Sequence, residues 1–315
     1  MKVLPDDWKR DYRTIYEILY DTPRILPKGI EKVLGTTAGQ RLIEAIELLI
    51  IVGPYLRKRS FRNLKQYMYF LICKNPVEEF LRLREDMNVV YHAKTLGFCN
   101  LWVVSREKID IDGEIVAEGY CSDYHVPFAP DRISSTAIRI MREKGEIFDP
   151  EEYQPRGIIR THFDETTKWD EKDERLFRSF KCGLRITLDP LIKEHRISET
   201  TLYQFLERLP EICTIATGYF PDTLPAYEPY LYMLETDYED FLIEFFSELP
   251  TTTTFFKVSD KLIAFIYVPK QVVIPDPNVY VSKLDIPVLV NDLQRRGIIK
   301  KYAECNISCF RSKDF

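Results

Sequence analysis

An internal duplication is the feature that most constrains the fold of this 315-residue chain. The segment Tyr67–Leu71 matches Tyr230–Leu234, which begins 163 positions later. Phe80-Leu81 matches Phe241-Leu242, 161 positions later, and an acidic pair stands shortly before both. This spacing is much longer than the 20 to 50 residues that are typical of solenoid repeats. The repeat therefore indicates that one unit of more than one domain occurs twice.

The first copy opens with helical periodicity. Between residues 12 and 49, apolar residues recur every three or four positions in three short segments, and Pro27 and Gly35 help to delimit the second. The β-branched run Ile50–Val52 follows and predicts a strand. Three short helices with a strand behind them are typical of a winged helix-turn-helix.

A second pattern follows in each copy. Residues 64–105 show a strand-like alternation, a helical segment and two further strand-like segments, and residues 228–268 repeat this order. Residues 286–309 then add a helix and a strand, which completes the βαββαβ order of a ferredoxin-like sandwich. In the first copy, residues 106–135 predict a loop where the second helix should be.

These patterns predict an α+β fold in which two winged helix-turn-helix domains alternate with two ferredoxin-like (βαββαβ) sandwich domains. The sequence also predicts that the two sheets pair within one chain, because the two copies have diverged and an intrachain interface need not match itself. The predicted domains are a winged helix-turn-helix at 1–60, a ferredoxin-like effector domain with an irregular end at 61–133, a helix and linker at 134–170, a second, divergent winged helix-turn-helix at 171–222, and a second ferredoxin-like domain at 223–315.

Charge is distributed unevenly along the chain. The net charge is −5, yet the first 66 residues carry 13 Lys and Arg against eight Asp and Glu. A basic segment in an otherwise acidic chain indicates that one domain binds phosphate groups, while the rest of the chain has another function.

The cysteines and the hydropathy pattern indicate the compartment. Seven cysteines are scattered along the chain without a CxxC pair, which favours reduced thiols over disulfides or a zinc site. The longest apolar run, Leu48–Val52, is far too short to span a membrane. We therefore expect a cytoplasmic protein with no metal site and no membrane contact.

Part of the first copy resembles a known family. Leu34–Glu44, which reads LGTTAGQRLIE, and the following Ile50–Gly53 resemble the recognition helix and strand of the leucine-responsive regulator (Lrp/AsnC, feast/famine) family. Leu49 stands where that family has a glycine. Leu96–Leu101 resembles the Gly-x-x-Asp hairpin of the family's effector domain, with Asn100 in place of the aspartate.

The resemblance implies a transcription regulator that binds double-stranded DNA as a homodimer, with no catalytic residue and no cofactor. Polar side chains at the start of the recognition helix would read base edges, and cations of the strand would contact phosphates. The implied effector site, for a small molecule such as an amino acid, is at Gly97 and Asn100. The implied DNA-binding residues are Thr36, Thr37, Gln40, Arg41, Arg57, Lys58 and Arg59.

Two alternatives remain open from the sequence. Siroheme decarboxylases resemble the same family and use His and Arg around a tetrapyrrole, which makes His92 and Arg57 the candidates for an enzyme on this architecture. The other alternative is a protein-interaction module without DNA contact, for which acidic side chains between residues 235 and 248 would form the partner surface.

Overall fold

Each copy of the repeat is divided between two units in the computed structural model, which describes residues 6–270 and 285–312. The first unit comprises Met1–Lys58 and Thr167–Ala226, and the second comprises Arg59–Thr166 and Tyr227–Phe315. The outer ends of the first and last predicted domains lie outside the described residues, and the predicted boundaries stay a prediction. In chain order the elements are α1 (Asp6–Asp21), α2 (Pro27–Leu34), α3 (Ala38–Glu47), β1 (Ile51–Lys58), β2 (Tyr67–Ile72), α4 (Pro76–Leu83), β3 (Val89–Gly97), β4 (Leu101–Ser105), β5 (Glu114–Tyr120), α5 (Ser134–Ile147), α6 (Glu171–Phe180), α7 (Leu188–His195), α8 (Glu199–Ile212), β6 (Cys213–Tyr219), β7 (Tyr227–Glu235), α9 (Glu239–Phe246), β8 (Thr254–Val258), β9 (Lys261–Pro269), α10 (Asp285–Arg295) and β10 (Lys301–Ser312).

The first unit contains two sets of three helices and a strand. Apolar residues of α1 at helical spacing, among them Tyr12, Ile15 and Leu19, are buried as the periodicity predicts. Pro27 is the first residue of α2, where its missing N–H costs nothing, and Gly35 follows the helix with φ of 82°. Strands β1 and β6 pair antiparallel and so join the two sets.

The start of α3 lacks the side-chain cap that a threonine in this place commonly provides. Thr37 is the N-cap residue, but its side chain makes no capping hydrogen bond. Its backbone is helical, with φ of −84° and ψ of −6°, whereas a capping residue normally has an extended backbone. The equivalent residue of the second set, Ser198, is extended, and its hydroxyl accepts a hydrogen bond from the Thr201 N–H.

The second unit is built on one eight-stranded antiparallel sheet with the order β5-β2-β4-β3-β10-β7-β9-β8. The first four strands come from the first copy and the last four from the second, and each group has the same internal order. The two groups join where β10 pairs with β3, with Cys305 opposite Gly97. The prediction that the two sheets pair within one chain is confirmed by this strand pair.

The sheet also makes contact at its other end. Beyond β5, Cys121 forms an antiparallel bridge with Val258 and His125 forms one with Phe255, both in β8. Buried apolar side chains of both groups, including Phe70, Trp102 and Phe256, pack on the face that lies inside this closed sheet. The Trp102 ring is nearly parallel to the rings of Phe70 and Phe256, with interplanar angles of 16° and 13° respectively.

Helices cover the outer faces of the two groups unequally. The second group packs against α5, α9 and α10 through a large apolar cluster, whereas the first packs against α4 and the residues around Ile109 and Ile111. The predicted loop at 106–135 contains β5, which the sequence did not predict because its exposed, charged segment lacks clear alternation. The chain is thus a mixed α+β protein with antiparallel sheets. Among the described residues, no helix is both long and apolar enough to cross a membrane.

The backbone at Leu49 gives a test of local strain. Leu49 adopts φ of 56°, the left-handed conformation that suits the glycine of the resembling family and costs other residues roughly 1–2 kcal/mol. We expect Leu49→Gly to raise the free energy of unfolding by about 1 kcal/mol, measured by urea denaturation. The matched control is Leu48→Gly, because Leu48 is equally exposed but has φ of −77° and should lose about 1 kcal/mol. Equal losses in both variants would contradict the prediction.

Candidate functional site

The exposed face of α3 is poorly suited to DNA. Gln40, Ile43, Ile46 and Glu47 face solvent there, while Thr36 and Thr37 are exposed just before the helix. Ile43 keeps 58% of its surface exposed, and Glu47 would repel phosphate. Gln40 donates to Glu44 of the same helix at 2.9 Å.

The cations predicted to contact DNA are largely engaged within the first unit. Arg41 donates to Glu44 at 2.8 Å, lies 3.6 Å from the Asp11 carboxylate and covers the Trp8 ring at 3.9 Å. Desolvation alone would lower the pKa of Arg41, but the hydrogen bond to Glu44 and the charges around the guanidinium together raise it.

The two basic residues of β1 differ from each other. Lys58 forms an ion pair with Glu174 and lies 4.7 Å from the Trp169 ring centre. Arg57 is exposed, with its guanidinium 5.3 Å from the Tyr55 ring centre. Most of the positive charge that the sequence assigns to phosphate therefore has an internal carboxylate partner.

The predicted effector hairpin has a structural role in the second unit. Gly97 has φ of 143°, and a Cβ there would overlap the Glu304 carbonyl and come within 2.7 Å of the Cys305 Cα. The Asn100 amide accepts from the Cys73 N–H and donates to the Cys73 carbonyl, both at 2.8 Å. Both residues thus support strand contacts, and ligand binding at this hairpin stays a prediction.

His92, a candidate in the enzyme alternative, is completely buried on β3. Its ring lies 4.4 Å from the Phe80 ring of α4 in an edge-on arrangement. The other candidate, Arg57, belongs to the first unit. His92 is therefore a core residue beneath a helix, and no substrate reaches it in this conformation.

A polar cluster that sequence analysis missed lies in the second unit around Asp123, which is 5% exposed. Three connecting segments bring it together: the residues after β1, the residues after β5, and the segment that precedes α6. Backbone hydrogen bonds tie these segments, from Asp123 N–H to the Arg160 carbonyl at 3.0 Å and from Arg62 N–H to the Glu165 carbonyl at 2.7 Å. We call Arg59, Ser60, Asp123, His162 and Glu165 the Asp123 cluster.

Each oxygen of the Asp123 carboxylate has its own partners. Oδ1 accepts from the N–H and the hydroxyl of Ser60, both at 2.8 Å. Oδ2 lies 3.3 Å from an Arg59 guanidinium nitrogen and 3.2 Å from His162 Nε2. The Ser60 hydroxyl also accepts from the backbone N–H of His162 at 2.9 Å, so Ser60 connects Asp123 with His162.

The imidazole of His162 contacts two carboxylates of the cluster. Its Nδ1 lies 3.0 Å from Glu165 Oε1, and its ring stacks on Phe61 with 4.7 Å between the ring centres. The side chain is 18% exposed, and its ring lies between the Asp123 and Glu165 carboxylates. The Ser60 hydroxyl, by contrast, is buried and directed at Asp123, which does not fit a nucleophile activated by histidine. The cluster can therefore supply a proton donor beside a cation.

A surface of aromatic and basic side chains borders the Asp123 cluster. Tyr120 lies 6.1 Å from the Phe163 ring, and Lys65 covers Tyr120 at 3.9 Å. Arg62 is exposed, 3.8 Å from Asp164. We call Arg62, Lys65, Tyr120 and Phe163 the aromatic–basic surface. The residues of the cluster and this surface come from distant parts of the chain and form no linear motif, so sequence inspection had no signal for them.

Comparison with known proteins reveals similarity at the level of fold. No protein-family model matches the chain, and no curated protein matches it by sequence. The crystal structure of the siroheme decarboxylase NirDL aligns with 95% of this chain and 91% of its own, at a TM-score of 0.50 and 14% identity. A crystal structure of NirDL in co-complex with an iron-uroporphyrin III analogue aligns with 95% of this chain and 92% of its own, at a TM-score of 0.48 and 14% identity.

These findings correct the main functional prediction. The sequence predicts a DNA-binding regulator of the Lrp/AsnC family that is not an enzyme, and this prediction is wrong. No family model supports it, and the fold that aligns over nearly the whole chain is that of an enzyme. The alternative of a siroheme-decarboxylase-like architecture is the one that the fold comparison supports.

The Asp123 cluster generates a stability prediction. Asp123→Ala removes the acceptor of two Ser60 donors and the anion beside Arg59, and we expect it to lower the free energy of unfolding by about 2–4 kcal/mol. Asp164→Ala is the control, since that side chain is fully exposed and should cost less than about 0.5 kcal/mol. Urea denaturation followed by circular dichroism measures both. Similar losses in the two variants would mean that the cluster contributes nothing specific.

Proposed function

We propose that the chain is a decarboxylase of the siroheme type, which removes a carboxyl group of a tetrapyrrole as CO2. The observation that carries this proposal is the fold alignment with NirDL over 95% of this chain. Fold alone does not imply function, so the proposal also needs a site with the right chemistry. The Asp123 cluster and the aromatic–basic surface supply that support.

We further propose the finer architecture: each copy is a winged helix-turn-helix followed by a ferredoxin-like domain. Within the sheet, the first copy has the order β5-β2-β4-β3 and the second β10-β7-β9-β8. In both copies the fourth strand pairs with the first, and the third strand lies between the first and the second, as in a βαββαβ sandwich. The first copy has β5 in the fourth position but replaces the second helix with residues 106–113.

The aromatic–basic surface fits a flat, polyanionic substrate. Tyr120 is an exposed ring that a macrocycle could contact, while Arg62 and Lys65 offer charges for its carboxylates. The interior of the closed sheet is a less suitable place, because Phe70, Trp102 and Phe256 already fill it. We therefore place the substrate on the surface beside His162.

Decarboxylation requires that the bond between the carboxyl carbon and its neighbour breaks with the electron pair left behind. A conjugated macrocycle can delocalise that pair until a proton replaces the departing CO2. In the proposed site, His162 donates this proton from Nδ1, on the side of the exposed Glu165, because Nε2 is buried against Asp123. Arg59, which is 28% exposed in its side chain, orients the carboxylate that leaves.

The experiment incubates the full chain with siroheme without oxygen and follows the products by liquid chromatography and mass spectrometry. We expect products that are lighter by the mass of one or more CO2 molecules. His162→Gln should lower kcat by about 100-fold or more with little change in KM, because it removes the proton donor and keeps a hydrogen-bonding side chain.

The control for that variant is His195→Gln, a histidine of α7 that contacts Ser179 in the first unit and should keep full activity. Binding of siroheme, followed by its absorption spectrum, separates loss of binding from loss of chemistry. A wild-type chain that binds siroheme and yields no lighter product would overturn the reaction. Equal activity of wild type and His162→Gln would overturn the assignment of the proton donor.

A further inference from the structure

The repeat places an arginine at the same position in both halves of the first unit. Arg24-Ile25 lies in the connection between α1 and α2, and Arg185-Ile186, 161 positions later, lies in the connection between α6 and α7. The helices that follow, α2 and α7, begin at Pro27 and Leu188, which are also 161 positions apart. The two arginines are thus equivalent residues of the two copies.

The fold brings these equivalent arginines together. The Arg185 guanidinium donates to the carbonyl of Ile25, the residue next to Arg24. The Arg24 guanidinium lies 5.9 Å from the ring centre of Phe180, at the end of α6. Both side chains are half-buried. Each arginine therefore contacts the other copy.

No carboxylate compensates for this pair of charges in the part of the chain that the structure describes, since neither arginine forms an ion pair there. Burial lowers the pKa of Arg24, which Tyr203 of α8 partly offsets. Burial and the charge of Arg24 both lower the pKa of Arg185. Two like charges in a half-buried place destabilise each other unless an anion joins them.

We propose that Arg24 and Arg185 form an oxyanion-binding site in the first unit, for a ligand that presents at least two negative oxygens. The planar fork of a guanidinium matches carboxylate and phosphate oxygens, and two arginines from equivalent positions match a ligand with two such groups or one dianion. This site is separate from the Asp123 cluster, which belongs to the second unit. The inference does not depend on the proposed decarboxylase activity.

The experiment measures binding of inorganic phosphate and of succinate to the full chain by isothermal titration calorimetry, at ionic strength fixed with chloride. We expect saturable binding of at least one of the two, with one site per chain. Phosphate alone would identify a dianionic group as the ligand, and succinate alone would identify a dicarboxylate. Absence of saturable binding of both anions would overturn the proposal.

Matched variants separate a built site from general charge attraction. Arg24→Gln and Arg185→Gln should each weaken binding at least about tenfold, because each removes charge-assisted hydrogen bonds. Lys32→Gln, which removes one exposed charge from α2, should leave the dissociation constant unchanged. Arg185→Lys keeps the charge without the fork and should give an intermediate loss.

The same variants also test the pairing of charges without a ligand. In chloride alone, the melting temperature of the Arg24→Gln variant should be no lower than that of the wild type, because the substitution relieves the repulsion between the two guanidinium groups. In phosphate or succinate, wild type should gain stability that the variant does not. Equal responses of wild type, Arg24→Gln and Lys32→Gln to the anions would overturn the site.

Discussion

The second unit depends on the close approach of β10 and β3, the strand pair that joins its two groups of strands. Gly97 permits this approach, because any side chain there would overlap the Glu304 carbonyl. Next to it, Cys99 and Cys305 bury their thiols 3.8 Å apart, and the Thr95 hydroxyl donates to the Cys99 carbonyl at 2.8 Å. Hydrogen bonds and buried thiols therefore stabilise the same part of the β3–β10 pair, and this pair joins the two groups of strands into one sheet.

Closure within one chain removes a constraint that a symmetric dimer would impose. In a two-fold dimer every interface residue must serve both sides, whereas here each copy contributes different residues. The second group of strands has a full set of helices on its outer face, and the first has a loop with Ile109 and Ile111. Asp123 follows β5, and His162 lies between α5 and α6. The Asp123 cluster is thus built from connecting segments and not from the repeated strands and helices.

Local patterns in the sequence predicted the elements well, and long-range chemistry was beyond them. Helical spacing and β-branched runs depend on neighbouring residues, so α1, α9 and most strands follow directly from them. Strand β5 was missed because two glutamates and a glycine interrupt its apolar residues, so the segment shows no alternation. The contact of Ser60 with Asp123 spans 63 positions and that with His162 spans 102, and no spacing rule predicts such contacts.

The functional misassignment has a specific physical origin in α3. Arg41 fits the family pattern in type and position, but a sequence motif does not say which partner an arginine meets. In the fold, Asp11 and Glu44 neutralise its charge and Trp8 covers its guanidinium, so the residue stabilises the three-helix set. Lys58 likewise forms an ion pair with Glu174 and lies over the Trp169 ring. A basic segment counts as a phosphate-binding surface only where its cations lack internal carboxylate partners, and among the residues described Arg24 and Arg185 of the first unit meet this condition.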